Sequence, residues 1–172
     1  MSTVKDKKYM KALILLLTLF TVSSCGLISA FKIRDAMLEE KVMQFGFKRT
    51  LPFQYDKGLI VVEANIDDKP YNFIFDTGAS MIIDDDFAKK VRYKKIGIQK
   101  SKDTGGNKKK LKIVKLNKVS IGGIEFSDIV TGISDLDKLK TITCIDFVGI
   151  IGANAMNKSV WQIDYQNKTI IL

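Results

Sequence analysis

Phe73-Ile74-Phe75-Asp76-Thr77-Gly78-Ala79-Ser80 is the stretch on which the fold reading turns. Three large apolar residues of high β-propensity in succession read as a buried strand. Asp76 stands at the end of that strand, where a rigid backbone delivers its carboxyl group to the surface. Thr77 supplies a hydroxyl to lock the loop, and Gly78 lets two such loops approach backbone to backbone. A carboxylate so presented can activate water for amide hydrolysis when a second carboxyl lies beside it and the two share one proton. The ionised member takes a proton from water while the protonated member polarises the carbonyl oxygen.

Asp-Thr-Gly is a weak motif in isolation, and the chain contains it twice. The second copy, Asp103-Thr104-Gly105-Gly106, lies 27 residues after the first. It follows Gln99-Lys100-Ser101-Lys102, a polar run unsuited to a buried strand. Its glycines fit the tip of a hairpin, where positive φ is required.

Outward from Asp76, the sequence breaks into short β-rich runs. Leu59-Ile60-Val61-Val62 reads as a strand, Asp67-Asp68-Lys69-Pro70 as a turn, and Tyr71 to Phe75 as the return of a hairpin. Asp84-Asp85-Asp86 before Phe87-Ala88-Lys89-Lys90 predicts a short helix whose terminal charges oppose its dipole. Lys112 to Leu116 and Val119 to Phe126 read as strands, the second bent at Gly122-Gly123. Val148 to Ile151 is a buried run ending at Gly152, followed by a helical turn or two over Ala153 to Ser159. Trp161 to Tyr165 and Thr169 to Leu172 form a closing hairpin. Many short strands with small helices indicate a mainly β, partly closed barrel.

The 172 residues suffice for one compact domain, and 46 % apolar content with two prolines indicates a globular chain. The chain has no histidine, which excludes Ser-His-Asp and Cys-His mechanisms and the common imidazole zinc sites. Of two cysteines, Cys144 lies in the apolar run Ile142-Thr143-Cys144-Ile145 and reads as a small core residue. Hydrolytic chemistry here rests on carboxylates, hydroxyls or lysine, with neither metal nor cofactor expected.

The N-terminus reads as a targeting segment. Lys5, Lys7, Lys8 and Lys11 precede an apolar stretch of eleven residues, Ala12 to Val22. That is too short to span a bilayer core of roughly 30 Å and suits a signal-peptide core. Val22-Ser23-Ser24-Cys25 resembles a bacterial lipobox, which implies that residues 1–24 are a lipoprotein signal peptide and Cys25 the lipidated residue; the alternative is an ordinary signal peptide that happens to carry a cysteine. Lipobox processing adds more than one acyl chain, enough for stable anchoring. The expected location is a bacterial membrane, facing the periplasm or cell surface. Without residues 1–24 the chain carries 24 basic and 18 acidic residues, net +6. Lys108, Lys109, Lys110 and Lys112 have no interleaved aromatics for base stacking, so nucleic acid is not an expected partner. Residues 25–50 read as a membrane tether or spacer, in which Ile33, Met37, Val42, Met43 and Phe45 predict a short helix.

From about Leu51 to Leu172 the sequence resembles the retropepsin-like aspartic proteases, particularly the bacterial single-domain members. The resemblance is carried by Leu51-Pro52-Phe53, by the strand pair running into Phe73 to Ser80, and by Val148-Gly149-Ile150-Ile151-Gly152-Ala153-Asn154-Ala155-Met156. It ends with Trp161-Gln162-Ile163-Asp164-Tyr165-Gln166-Asn167-Lys168. It implies an acid-protease closed barrel with one or two short helices over residues 51–172. Asp76 is then the catalytic carboxylate, and Thr77, Gly78, Ala79 and Ser80 form the supporting loop. Ile151, Gly152 and Asn154 pack behind that loop, and Gly105 and Gly106 lie at the tip of a flap over the substrate. One catalytic aspartate per chain implies a homodimer that sets Asp76 against Asp76 of a second copy. The implied activity is hydrolysis of a peptide or protein substrate; the alternative is a catalytically silent peptide-binding lipoprotein module of the same fold. Retroviral members pair an acid after Asp-Thr-Gly-Ala with an arginine after the later glycine; here those positions hold Ser80 with Met81, and Ala153. Both partners are missing together, so no buried charge is stranded.

Overall fold

The computed structural model describes residues 24–102 and 108–172, and the fold is mainly β. Strands β4 (Leu59–Ile66) and β5 (Lys69–Asp76) form the antiparallel hairpin that carries the Asp76 loop. Asp67 and Asp68 turn it with φ of 50° and 62°. Two successive left-handed residues match the right-handed twist of the flanking strands, and aspartate tolerates that conformation better than most side chains. Beyond the loop the chain enters β6 (Ile82–Asp84) and the one-turn helix α2 (Asp85–Ala88). Strands β5 and β6 do not pair with each other. A later strand, β10 (Gly149–Gly152), lies between them, parallel to β5 and antiparallel to β6.

The sheet closes on itself. Strand β6 continues onto β9 (Ile124–Ser134), β9 onto β8 (Lys108–Ile121), and β8 back onto β4. Strand β7 (Lys94–Lys102) extends β8 outward, and β3 (Gln54–Asp56) lies on β4. The short strands β2 (Thr50–Pro52), β11 (Gln162–Asp164) and β12 (Thr169–Ile171) make a separate three-stranded sheet, ordered β11-β12-β2. Leu51, Ile170 and Leu172 from this sheet and its end are buried in the barrel core.

Both faces of β5 are covered, which explains its unbroken apolar run. Phe73 and Phe75 point into the main core with Ile83, Leu116, Phe126 and Ile151. Ile74 points the other way, into a second cluster with Leu136, Phe147 and Ile150. That cluster is capped by helix α3 (Asp137–Thr143), whose Leu139 packs against it. At the N-terminal side, helix α1 (Ser24–Leu38) lays Ile33 and Ala36 on Ile113 and Val130 of the barrel. Strand β1 (Lys41–Val42) then pairs with Ser127 and Phe126 of β9.

Several elements differ from the sequence reading. The expected helix through Val42 and Phe45 stops at Leu38, and Val42 enters a strand because an open edge of β9 pairs its backbone. The two strands expected from Lys112 to Phe126 divide elsewhere. Lys108–Ile121 is one strand, and Gly122 and Gly123, with φ of 58° and 79°, form the tight turn of the β8–β9 hairpin instead of a bend within a strand. Cys144 is exposed rather than in the core. It ends helix α3 in the left-handed conformation (φ 51°), which turns its side chain away from the apolar cluster.

Asp84 locks β6 to the surrounding elements. Its buried carboxylate accepts from the Asp86 and Phe87 amides at the start of α2 and from the Leu136 amide, and pairs with Lys140 Nζ at 2.9 Å. Burial pulls this carboxyl upward, but Lys140 and the amides outweigh it and hold it below the usual carboxylate range. A carboxylate lowered on folding contributes stability above its unfolded pKa and loses it as pH falls through its folded value. Asp84→Asn is therefore expected to lower unfolding free energy at pH 7 by about 1–3 kcal/mol. Urea melts should also show a smaller loss of stability on acidification in the variant than in the wild type.

Candidate active site

The carboxyl of Asp76 is exposed at the C-terminal end of β5, directly beyond the buried Phe75. Gly78 N–H donates to Asp76 Oδ1 at 2.8 Å, and Ala79 N–H donates to Asp76 O at 3.4 Å. The loop thus turns back on its own aspartate, and a Cβ on Gly78 would lie 3.3 Å from Asp76 Oδ1. Thr77, Gly78 and Ser80 are exposed and Ala79 half-buried.

Behind the loop stands the end of β10. Ile151 pairs with Phe75, and Gly152 pairs with Asp76 itself. A Cβ on Gly152 would lie 2.3 Å from Ser80 C, 2.4 Å from Ala79 O and 2.6 Å from Met81 N. All three are backbone atoms, so no side chain fits there without moving the loop. The chain then starts helix α4 (Ala153–Met156), and Ala153 N–H donates to Ala79 O at 2.7 Å. Asn154, buried, accepts the Met81 N–H on Oδ1 at 2.7 Å. Gly132 N–H donates to Met81 O at 2.9 Å, which holds the far end of the loop to β9. Where the sequence lacks a charged pair at Ser80 and Ala153, neutral hydrogen bonds through Ala79, Met81 and Asn154 make the connection. Met81 is fully buried as a core residue.

Asp76 opens onto a cleft of about 310 Å³, lined also by Gly58, Leu59, Ile60, Thr77, Ile163 and Tyr165. Tyr165 stands edge-on to Tyr55 and Phe53, with ring centroids 5.6 and 6.0 Å apart. These rings come from the C-terminal hairpin and the β2–β3 region; of the three only Tyr165 lines the cleft, and the sequence reading did not select it. Asp76, Thr77, Gly78, Ala79 and Ser80 are thus brought together with Ile151, Gly152 and Asn154. Gly105 and Gly106, with Asp103, lie outside the described residues; the strands that flank them pair as far as Lys102 with Lys108. Cys25 lies in the first turn of α1.

One buried acid escaped the sequence reading. Glu40 reaches Asn154 from the N-terminal segment, its Oε1 accepting from Asn154 Nδ2 at 3.0 Å and from Val130 N–H at 2.9 Å. Nothing in the run Leu38-Glu39-Glu40-Lys41 distinguishes it from a solvated charge cluster. Among the described residues, Asp84, Asp85 and Asp86 bring carboxylate oxygens within 4.8 Å of one another. Capping amides and Lys140 already engage Asp84, which gives that cluster a structural explanation.

The sequence pattern of the aspartyl protease family matches residues 62–155, from the middle of β4 through α4. That span is more than half of the chain and takes in both the Asp76 loop and the Gly152 element. The chain belongs to the aspartyl protease family. Among solved structures it matches the crystal structure of a retropepsin-like aspartic protease from Rickettsia conorii, with 20% identity and a TM-score of 0.49 over 78% of this chain and 91% of that one. No curated protein matches it.

Gly152→Ala forces a methyl group into the backbone of the loop. It is expected to destabilise the fold by about 3 kcal/mol in chemical denaturation, the upper end of ordinary overpacking. Gly123→Ala serves as the comparison, since its Cβ would meet open space although its φ of 79° still disfavours a side chain.

Proposed function

We propose that this chain is an aspartic endopeptidase in which Asp76 works with Asp76 of a second copy. The observation that carries the reading is the placement of an exposed Asp76, at the end of a buried strand, on a loop seated against Gly152 and open to a cleft. Family membership supports a protease in general, and the paired site is the finer step.

A homodimer supplies the second carboxyl by symmetry. Thr77 and Gly78 are exposed beside Asp76, and Gly78 carries no side chain to hold the two loops apart. Two carboxyl groups about 3 Å apart share one proton. One then accepts a proton from water while the other donates to the carbonyl oxygen of the peptide. The tetrahedral intermediate collapses as the leaving nitrogen is protonated, releasing a new carboxyl and a new amine. The chain's own part is to hold Asp76 still, since the loop is tied through Gly78, Ala79 and Met81. The cleft beside it offers Leu59, Ile60, Ile163 and Tyr165 to an extended peptide with apolar side chains.

The same proposal places the protein on a bacterial membrane, lipid-anchored through Cys25 and facing the periplasm or cell surface. Among the described residues no helix is long and apolar enough to cross a membrane. Its support is the sequence Val22-Ser23-Ser24-Cys25 after a short apolar core. Mass spectrometry of the membrane-extracted protein should find an acylated N-terminal cysteine, and an unprocessed Met1 would exclude the anchor.

Asp76→Asn is expected to lower cleavage of a denatured protein substrate by about 100- to 10,000-fold while leaving the fold intact. Specific activity in the wild type should rise with protein concentration until the dimer saturates. Unchanged cleavage in Asp76→Asn sinks the assignment. Peptide binding without cleavage in both proteins would instead support the silent binding module.

A further inference from the structure

The geometry points to Glu40 as a positioning residue for the Asp76 loop, which makes the junction between α1 and β1 part of the working site. The inference rests on the proposed peptidase reading for its kinetic consequence, but its structural consequence stands apart from that reading.

The Glu40 side chain is 1% exposed. Burying a carboxyl group is costly unless it is paired and hydrogen-bonded. Here Oε1 accepts from Val130 N–H and Asn154 Nδ2, and Oε2 lies 3.5 Å from Lys158 Nζ. The neighbouring backbone holds it in register: Lys41 and Val42 pair with β9, and Met43 N–H donates to Glu125 O at 2.9 Å. Glu39 adds an ion pair to the buried Lys115 at 2.7 Å.

Asn154 links this junction to the loop. A carboxamide has a donor end and an acceptor end, so its orientation is set by its partners. Nδ2 donates to Glu40 Oε1 and to Val130 O at 2.9 Å, and this turns Oδ1 toward Met81 N–H. Without Glu40, one of the two acceptors that define the amide's orientation is gone. Asn154 Nδ2 is then held by Val130 O alone, and the acceptor it presents to Met81 N–H is less firmly fixed. Met81 ends the loop that begins at Asp76, so the error is transmitted to the carboxyl group. Glutamine at position 40 would keep an oxygen in the Oε1 place and lose only the pairing with Lys158.

Hydrogen–deuterium exchange on the full chain tests this, comparing wild type with Glu40→Leu and Glu40→Gln. Glu40→Leu is expected to speed exchange of the Met81 amide by about tenfold or more while amides of the β4–β5 hairpin keep their wild-type rates. Glu40→Gln should restore most of the protection. In peptide cleavage, Glu40→Leu should lower kcat by about tenfold with KM little changed, and Glu40→Gln should recover most of it. Should Glu40→Leu not fold, Glu40→Asp keeps the acid but withdraws it by one methylene, and the same selective loss at Met81 is expected. Unchanged exchange at Met81 in folded Glu40→Leu or folded Glu40→Asp overturns the proposal. So does a uniform rise across the barrel in either of them, or loss of the fold in both Glu40→Leu and Glu40→Asp. A selective rise at Met81 in a protein without peptidase activity supports the positioning role and removes the peptidase reading alone.

Discussion

Two strands joined by a short loop ordinarily pair with each other, but β5 and β6 are separated by β10, which hydrogen-bonds to both. Everything at the site depends on that insertion. It brings Gly152 opposite Asp76 and presses its Cα side against the backbone of Ser80, Ala79 and Met81. Only glycine leaves the room, and the loop takes its shape from the surface it rests on. The parallel β5–β10 pair also places two consecutive apolar runs side by side, so Phe73-Ile74-Phe75 and Ile150-Ile151 feed separate clusters on the two faces of the sheet. The aspartate is therefore held by the barrel interior although its carboxyl faces solvent.

This arrangement explains what could be read in the amino acids. The run Phe73-Ile74-Phe75 announces a doubly covered strand because an alternating pattern would have left one face wet. Asp84-Asp85-Asp86 announces a helix start because aspartate caps the free amides, and Asp84 does so. Gly152 was visible as the end of an apolar run, but its seat against the loop is a contact between positions distant in sequence. The Gly122-Gly123 pair was misplaced for a related reason. Two glycines permit a bend or a tight turn, and the continuous pairing of β8 with β9 decides between them.

The N-terminal segment was the least legible part. A stretch read as tether and helix carries a helix, a short strand and two acids that reach buried partners on the barrel. Periodicity sees side-chain polarity, and glutamate is ordinarily a solvated residue, so nothing in the sequence marks the contacts of Glu39 and Glu40. Their partners Lys115, Val130, Asn154 and Lys158 are spread over the later half of the chain. The aromatic cluster around Tyr165 is equally a tertiary product, since Phe53, Tyr55 and Tyr165 meet only once the C-terminal hairpin has folded back.

In the proposed peptidase, one working site needs the carboxyl of Asp76 from two chains. Mixing wild type with Asp76→Asn protein, allowing the subunits to exchange, and measuring cleavage at constant total concentration tests it most directly. If both carboxyls are needed, activity falls as the square of the wild-type fraction, because mixed pairs hold only one aspartate. Activity that falls in simple proportion to the wild-type fraction would mean that each chain works alone, and would contradict a site shared between two chains.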